Sequence, residues 1–140
     1  LYVFYEPYHL CHFEVPSTIA RAVDFGDATI APLGPPRVDV VATAKTDLEV
    51  GTTLDALGGY LTYGEAENSD VTRRENLLPI GLAEGCRLVR PVGKDHTLTF
   101  DDVEVPEGRL IDALWDEQNE HFGLTPSEPR AAARPVGDSV

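Results

Sequence analysis

Lysine is nearly missing from this chain. Lys45 and Lys94 are the only two, and with the arginines they give 11 cations against 24 carboxylates, a net charge of −13. That balance argues against a nucleic-acid partner, because phosphates are neutralised by Lys and Arg. It argues equally against an anionic membrane surface. Cysteine is almost as rare. Cys11 and Cys86 fall far below the density of a disulfide scaffold and are expected as reduced thiols. No apolar run approaches the roughly 18 residues that span a bilayer. The N-terminus has neither the basic start nor the small-residue cleavage site of a signal peptide. We therefore expect a cytoplasmic protein. An excess of carboxylates with few lysines also suits a high-salt cytoplasm, where surface charge keeps a protein in solution; an ordinary acidic cytosolic protein is the alternative. Leu1 stands where an initiating Met is usual and runs straight into strand-like residues, so we expect a piece of a longer protein.

What is present fits one domain, since 140 residues can bury a core without disulfides. Residues 1–15 (LYVFYEPYHLCHFEV) are rich in aromatic and β-branched residues, and Pro7 cannot donate to a ladder, so the segment reads as extended. A short helix follows Pro16, capped by Ser17 or Thr18, with Ile19, Ala22 and Val23 on one face and Gly26 as its stop. Residues 31–37 (APLGPPR) form a Pro/Gly connector. From Val38 the period changes to two, and short strands with frequent turns run to Pro106. A final amphipathic helix covers Arg109–Phe122 and is stopped by Gly123 and Pro126. Leu110, Ile111, Leu114, Trp115, Gln118 and Phe122 make one stripe, expected to pack in the core or at an interface, and Asp112, Asp116, Glu117 and Glu120 face away from it. Residues 125–140 have little to bury and read as a mobile tail. The expected fold is mostly β with short helices. It divides into an N-terminal extended segment and short helix (1–37), a β domain (38–108), a C-terminal helix (109–124) and the tail (125–140).

A faint internal repeat lies inside the β region. Residues 44–54 (AKTDLEVGTTL) align with 88–98 (LVRPVGKDHTL), placing Leu48 on Val92, Leu54 on Leu98 and Gly51 on Asp95. Gly and Asp both tolerate the left-handed turn such a loop needs. The pattern predicts two similar strand–turn–strand units packed against each other.

These turns resemble the SAF family, which occurs in antifreeze-like domains, altronate dehydratases and flagellar P-ring assembly chaperones. The resemblance rests on a basic residue, an aliphatic residue and a glycine turn (Lys45, Leu48, Gly51). A second unit then ends in the acidic-aliphatic pair Asp102-Val103. It implies a β-clip fold. Three further strings, residues 8–16 (YHLCHFEVP), 25–29 (FGDAT) and 75–85 (ENLLPIGLAEG), resemble the C-terminal part of homoserine-dehydrogenase-like oxidoreductases that end in an SAF domain. That group includes a reductoisomerase-like enzyme acting on deoxyxylulose phosphate with NADPH. The resemblance implies NADP for the full-length family and a separate N-terminal nucleotide-binding domain as partner. No G-x-G-x-x-G follows a strand here. Gly58-Gly59 lacks the third glycine and the helix after it, so we expect no cofactor bound by this chain and no catalysis by it alone.

Tyr8, His9, His12 and Glu14 form the densest reactive cluster, able to supply an acid or base near neutral pH. In an extended segment His9 and His12 point to opposite faces, so no metal site is expected. Lys45, Arg73, Arg74, Arg87 and Arg90 stand out because cations are scarce; they suit a phosphate or carboxylate, and the alternative is pairing with surface acids. We take Tyr8, His9, His12, Glu14, Lys45, Arg73 and Arg74 as the substrate-binding set, for a small anionic or sugar-derived molecule. The expected role is to shape the substrate pocket or an oligomer interface, homo-oligomers included. Two other roles are a free-standing SAF module that binds a sugar acid or protein, and a small altronate-dehydratase-like lyase subunit. Proximity among Glu65, Glu67, Asp101 and Asp102 is expected from acid content and signals no catalytic pair.

Overall fold

The computed structural model describes Val3, Tyr5 and residues 11–124. The chain divides into two compact units, Leu1–Gly34 and Pro35–Val140, separated within the Pro/Gly connector.

The first unit holds one helix, α1 (Cys11–Phe25). This corrects two expectations. Residues 11–15 are helical and not extended, and the helix does not begin after Pro16 but runs through it. A proline inside a helix removes one ladder hydrogen bond and crowds the preceding turn. The stripe of Val15, Ile19 and Val23 repeats at helical spacing across the proline, which explains why the period continues upstream of it. All described side chains of this unit are exposed, those three included.

The second unit is built on β1 (Val38–Ala44) and β2 (Thr62–Asn68), antiparallel from Val38↔Asn68 to Ala44↔Thr62. Two short helices follow, α2 (Ser69–Arg74) and α3 (Ile80–Ala83). A second small antiparallel sheet pairs β3 (Arg87–Leu88) with β4 (Val103–Glu104). The unit closes with α4 (Leu110–Phe122), ended by Gly123. The architecture is a mixture of short helices and two small antiparallel sheets. The core gathers Leu48, Leu54, Leu78, Leu82, Leu88 and Leu98 around Ala42, Ala44 and Cys86. The expected alternation of β1 is therefore only half realised. Val41 to Ala44 are buried on both faces, while Val38 and Val40 are exposed.

The internal repeat is a physical feature of this unit. Leu48 and Val92, aligned in the sequence, exchange hydrogen bonds with each other at 2.8 and 2.9 Å. The flanking bonds come in matched pairs. Ala44 N donates to His96 O at 3.0 Å, and its repeat mate Leu88 N donates to Thr52 O at 2.9 Å. Gly51 N donates to Leu88 O at 2.7 Å, and Asp95 N to Ala44 O at 2.8 Å. Replacing every residue by its mate returns the same set of bonds, so a pseudo-two-fold axis passes between Leu48 and Val92. Gly51 and Asp95 both have positive φ, 84° and 61°. The backbone must turn left-handed where each unit reverses, and the two residues meet that need differently: Gly without steric penalty, Asp as one of the few side chains that tolerate it.

Candidate functional site

Three arginines, Arg73, Arg90 and Arg109, are engaged in holding the fold. Arg73 is at the last turn of α2 and is only 5% exposed. Its Nη1 donates to Asp39 of β1 at 2.6 Å and to the Ser69 carbonyl at 2.8 Å. Its Nε donates to Asn119 Oδ1 of α4 at 2.9 Å, and its guanidinium lies 4.7 Å over the Trp115 ring. One side chain thus ties β1, α2 and α4 together. Burying a guanidinium is tolerated because a carboxylate and further acceptors surround it. Two polar atoms in this knot, Ser69 Oγ and Arg73 Nη2, have no hydrogen-bond partner among the described residues.

Arg109 does the same work at the start of α4. It grips Asp112 through two hydrogen bonds and donates to the carbonyls of Leu82 at 3.0 Å and Glu84 at 2.6 Å. Those carbonyls lie at the C-terminal end of α3, where a cation answers the negative end of the peptide dipoles. The bond to Asp112 holds the Arg109 guanidinium above its ordinary pKa, against the opposing effect of burial. Cys86 lies behind this cluster as a buried thiol donating to Leu82 O at 3.2 Å.

Arg90 pairs with Asp102, which is buried and also accepts from Thr99 N and Oγ1, both at 2.7 Å. Burial pushes the Asp102 carboxyl up, but the hydrogen bonds from Arg90 and Thr99 outweigh it and hold the group below its ordinary pKa. The acidic-aliphatic pair is therefore structural: Asp102 anchors the 3₁₀ turn Phe100–Asp102 and Val103 enters the core.

Of the seven expected binding residues, Lys45, Arg73 and Arg74 belong to the second unit, and there Lys45 stands apart from the two arginines. Tyr8 and His9 lie outside the described residues. His12 and Glu14 are exposed on α1, two positions apart and so on different sides of the helix. Arg73 is in the buried knot. Arg74, beside it, is exposed and pairs with Asp70 at 3.5 Å and Glu75 at 3.2 Å. Lys45 follows the far end of β1 and donates its Nζ to Gly59 O. It lies six positions along the chain from Asp39, the partner of Arg73, a span of about 20 Å for extended backbone. The approach of Lys45 depends on a tight turn at Gly59. A side chain there would collide with the Asp55 carboxylate, which accepts from Tyr60 N and Leu61 N.

Sequence reasoning missed the knot around Arg73 and the Arg109–Asp112 clamp. A usable signal existed for the second, since Arg and Asp three apart at a helix start face each other. The partners of Arg73 are far away in sequence and left no local trace. Among the described residues, no group of three or more His, Cys, Asp or Glu is placed to hold a metal ion, and no helix is long and apolar enough to cross a membrane. The string at residues 75–85 supplies core: Leu78, Leu82 and Ala83 are buried. No protein-family model matches the chain, and a search of curated proteins finds no match.

Proposed function

We propose that this chain is an accessory, SAF-like β-clip region of an NAD(P)-linked, homoserine-dehydrogenase-like oxidoreductase, acting by docking and by walling a substrate pocket. The observation that carries the reading is α1. It bears part of the string at residues 8–16 that resembles those enzymes, and it exposes both a reactive pair, His12 and Glu14, and an apolar stripe, Val15, Ile19 and Val23. An exposed apolar stripe on a helix is what a docking element carries before its partner is in place. The pseudo-two-fold pairing of residues 42–54 with 86–98 supports the SAF part of the reading, because the family resemblance lies in those two turns. In this reading the nucleotide-binding fold is a separate domain that supplies NADP and hydride transfer, and one of His12 and Glu14, which lie on different sides of the helix, faces the substrate.

The test is a fluorescence titration with NADPH of residues 1–140 alone and of the natural protein that contains them. The expected result is saturable binding by the natural protein and none by the 140-residue chain. Saturable binding at roughly micromolar NADPH by the chain alone would overturn the reading, since such affinity needs a built nucleotide site.

A further inference from the structure

Helix α4 is turned the wrong way round for a helix that serves only its own core. Its inward positions are Asp112, Trp115, Asn119 and Phe122, with Asp112 and Asn119 buried. Leu110, Ile111 and Leu114 point out, 74%, 45% and 52% exposed. With about 100° of turn per residue, these three share a side with Gln118 and His121, and Ile111, Leu114, Gln118 and His121 follow the spacing of a helix-pairing seam. The exposed acids Glu117 and Glu120 flank one edge, and exposed Glu107 precedes the helix.

The orientation is built in. Turning the leucines inward would carry Asp112 away from Arg109 and Asn119 away from Arg73, breaking two buried networks at once. A sequence that spends a buried arginine and a buried aspartate on fixing a helix with its apolar side out is specifying a surface. A second copy of the chain is a poor occupant. Pairing α4 with itself brings the Glu117 and Glu120 edges of two −13 chains together, and like charges beside an apolar seam oppose association.

We propose that the Leu110–Ile111–Leu114 face of α4 docks an amphipathic helix of another polypeptide, one that carries Lys or Arg beside its apolar stripe. The apolar seam supplies the area and the acidic edge selects the partner's charge. This inference stands on α4 alone and is independent of the oxidoreductase reading.

The probe is a designed helical peptide of about 18 residues with Leu on one stripe and Lys on its flanks, and a twin with Glu in place of Lys. Binding is read by calorimetry at about 0.15 M salt, where exposed charges are well screened. The Lys peptide should bind and the Glu twin should not. Leu114→Glu adds an acid to an already acidic surface, so simple charge attraction predicts tighter binding and seam docking predicts about tenfold weaker binding or none. The charge-neutral pair Leu110→Ser and Leu114→Ser gives the same reading without added charge, and its fold is checked by a thermal melt. Failure of the Lys peptide to bind overturns the proposal, and so does undiminished binding by folded Leu114→Glu or by the double serine variant. Sedimentation that finds a dimer of the unmodified chain, dissolved by Leu114→Glu, also overturns it, because the occupant is then a second copy.

Discussion

Arg109 donates two parallel hydrogen bonds to Asp112, Nε to Oδ2 at 2.7 Å and Nη2 to Oδ1 at 2.8 Å, across one turn of α4. The carboxylate is on the buried side of the helix, its side chain 3% exposed, while the guanidinium keeps some contact with solvent. Bidentate geometry makes this the strong form of such a pair. It also fixes which side of α4 faces the core.

Removing one member should therefore cost far more than replacing both. Asp112→Ala strands a largely buried cation and should cost about 3 kcal/mol. The double variant Arg109→Met with Asp112→Leu removes both charges and should cost clearly less than the two single changes added together. Urea melts of the four proteins read this out. A single-variant loss under about 0.5 kcal/mol would mean that the pair is energetically idle, as surface pairs often are.

Arg73 is open to a sharper decision, because the scarcity of cations marks it as a candidate substrate ligand and its surroundings make it a structural hub. Arg73→Met leaves Asp39, itself nearly buried, without its cation, so the fold should lose about 3–5 kcal/mol. Arg73→Lys keeps the charge but cannot bond Asp39 and Asn119 together, and should still cost about 1–3 kcal/mol. If a thermal melt instead finds either variant as stable as the parent, Arg73 returns to the binding set.

Much of the second unit was legible because its signals are local. The period of two across Val38–Ala44, the glycine ending α4 and the Leu48–Val92 alignment each need only a short window, and each corresponds to an observed element or pairing. The rotation of α4 was not legible. Its stripe of Leu110, Ile111, Leu114, Trp115, Gln118 and Phe122 was expected in the core or at an interface, and only Trp115 and Phe122 turn toward the core, while Asp112, expected to face away, is buried. The deciding interactions, Arg73 with Asn119 and Arg109 with the α3 carbonyls, join residues 46 and 27 positions apart. The start of α1 was lost for the opposite reason. Pro16 is a strong local signal for a helix boundary, and the stripe that runs through it prevails. The separation of Lys45 from Arg73 within the second unit has the same origin as the rotation of α4, since scarcity of cations marks them as valuable without saying for what.

The two left-handed turns offer an internal control, because symmetry gives them one job and the sequence gives them different residues. Gly51→Ala places a side chain at φ 84° and should cost roughly 1–2 kcal/mol, from backbone strain alone. Its Cβ would meet nothing closer than Arg87 Nη2 at 3.4 Å, so no clash contributes. Asp95→Gly relieves the strain at φ 61° but loosens the unfolded chain and gives up the 3.4 Å contact from the Tyr63 hydroxyl, so it should be nearly neutral. Paired denaturant melts test the asymmetry. Equal losses at both sites would show that something other than handedness governs these turns.

Acid should weaken the second unit through Asp102. Burial alone raises this carboxyl, and the bonds from Arg90 and Thr99 more than reverse that, so its folded pKa lies below the ordinary 3.8. A depressed folded value means that the unfolded chain takes up the proton first as pH falls. The stabilisation is accordingly complete well above the unfolded value and disappears as pH drops through the folded one, below about 4. Asp102→Asn removes the charge at every pH while keeping the shape. It should cost about 1–3 kcal/mol at pH 7, since Arg90 and the Thr99 donors then meet a weaker acceptor. The gap between parent and variant should stay constant from pH 7 to about 5 and close below about 4. Denaturant melts across that range supply the measurement. A gap that stays open down to pH 2.5 would assign the effect to packing around the Phe100–Asp102 turn, because packing does not titrate.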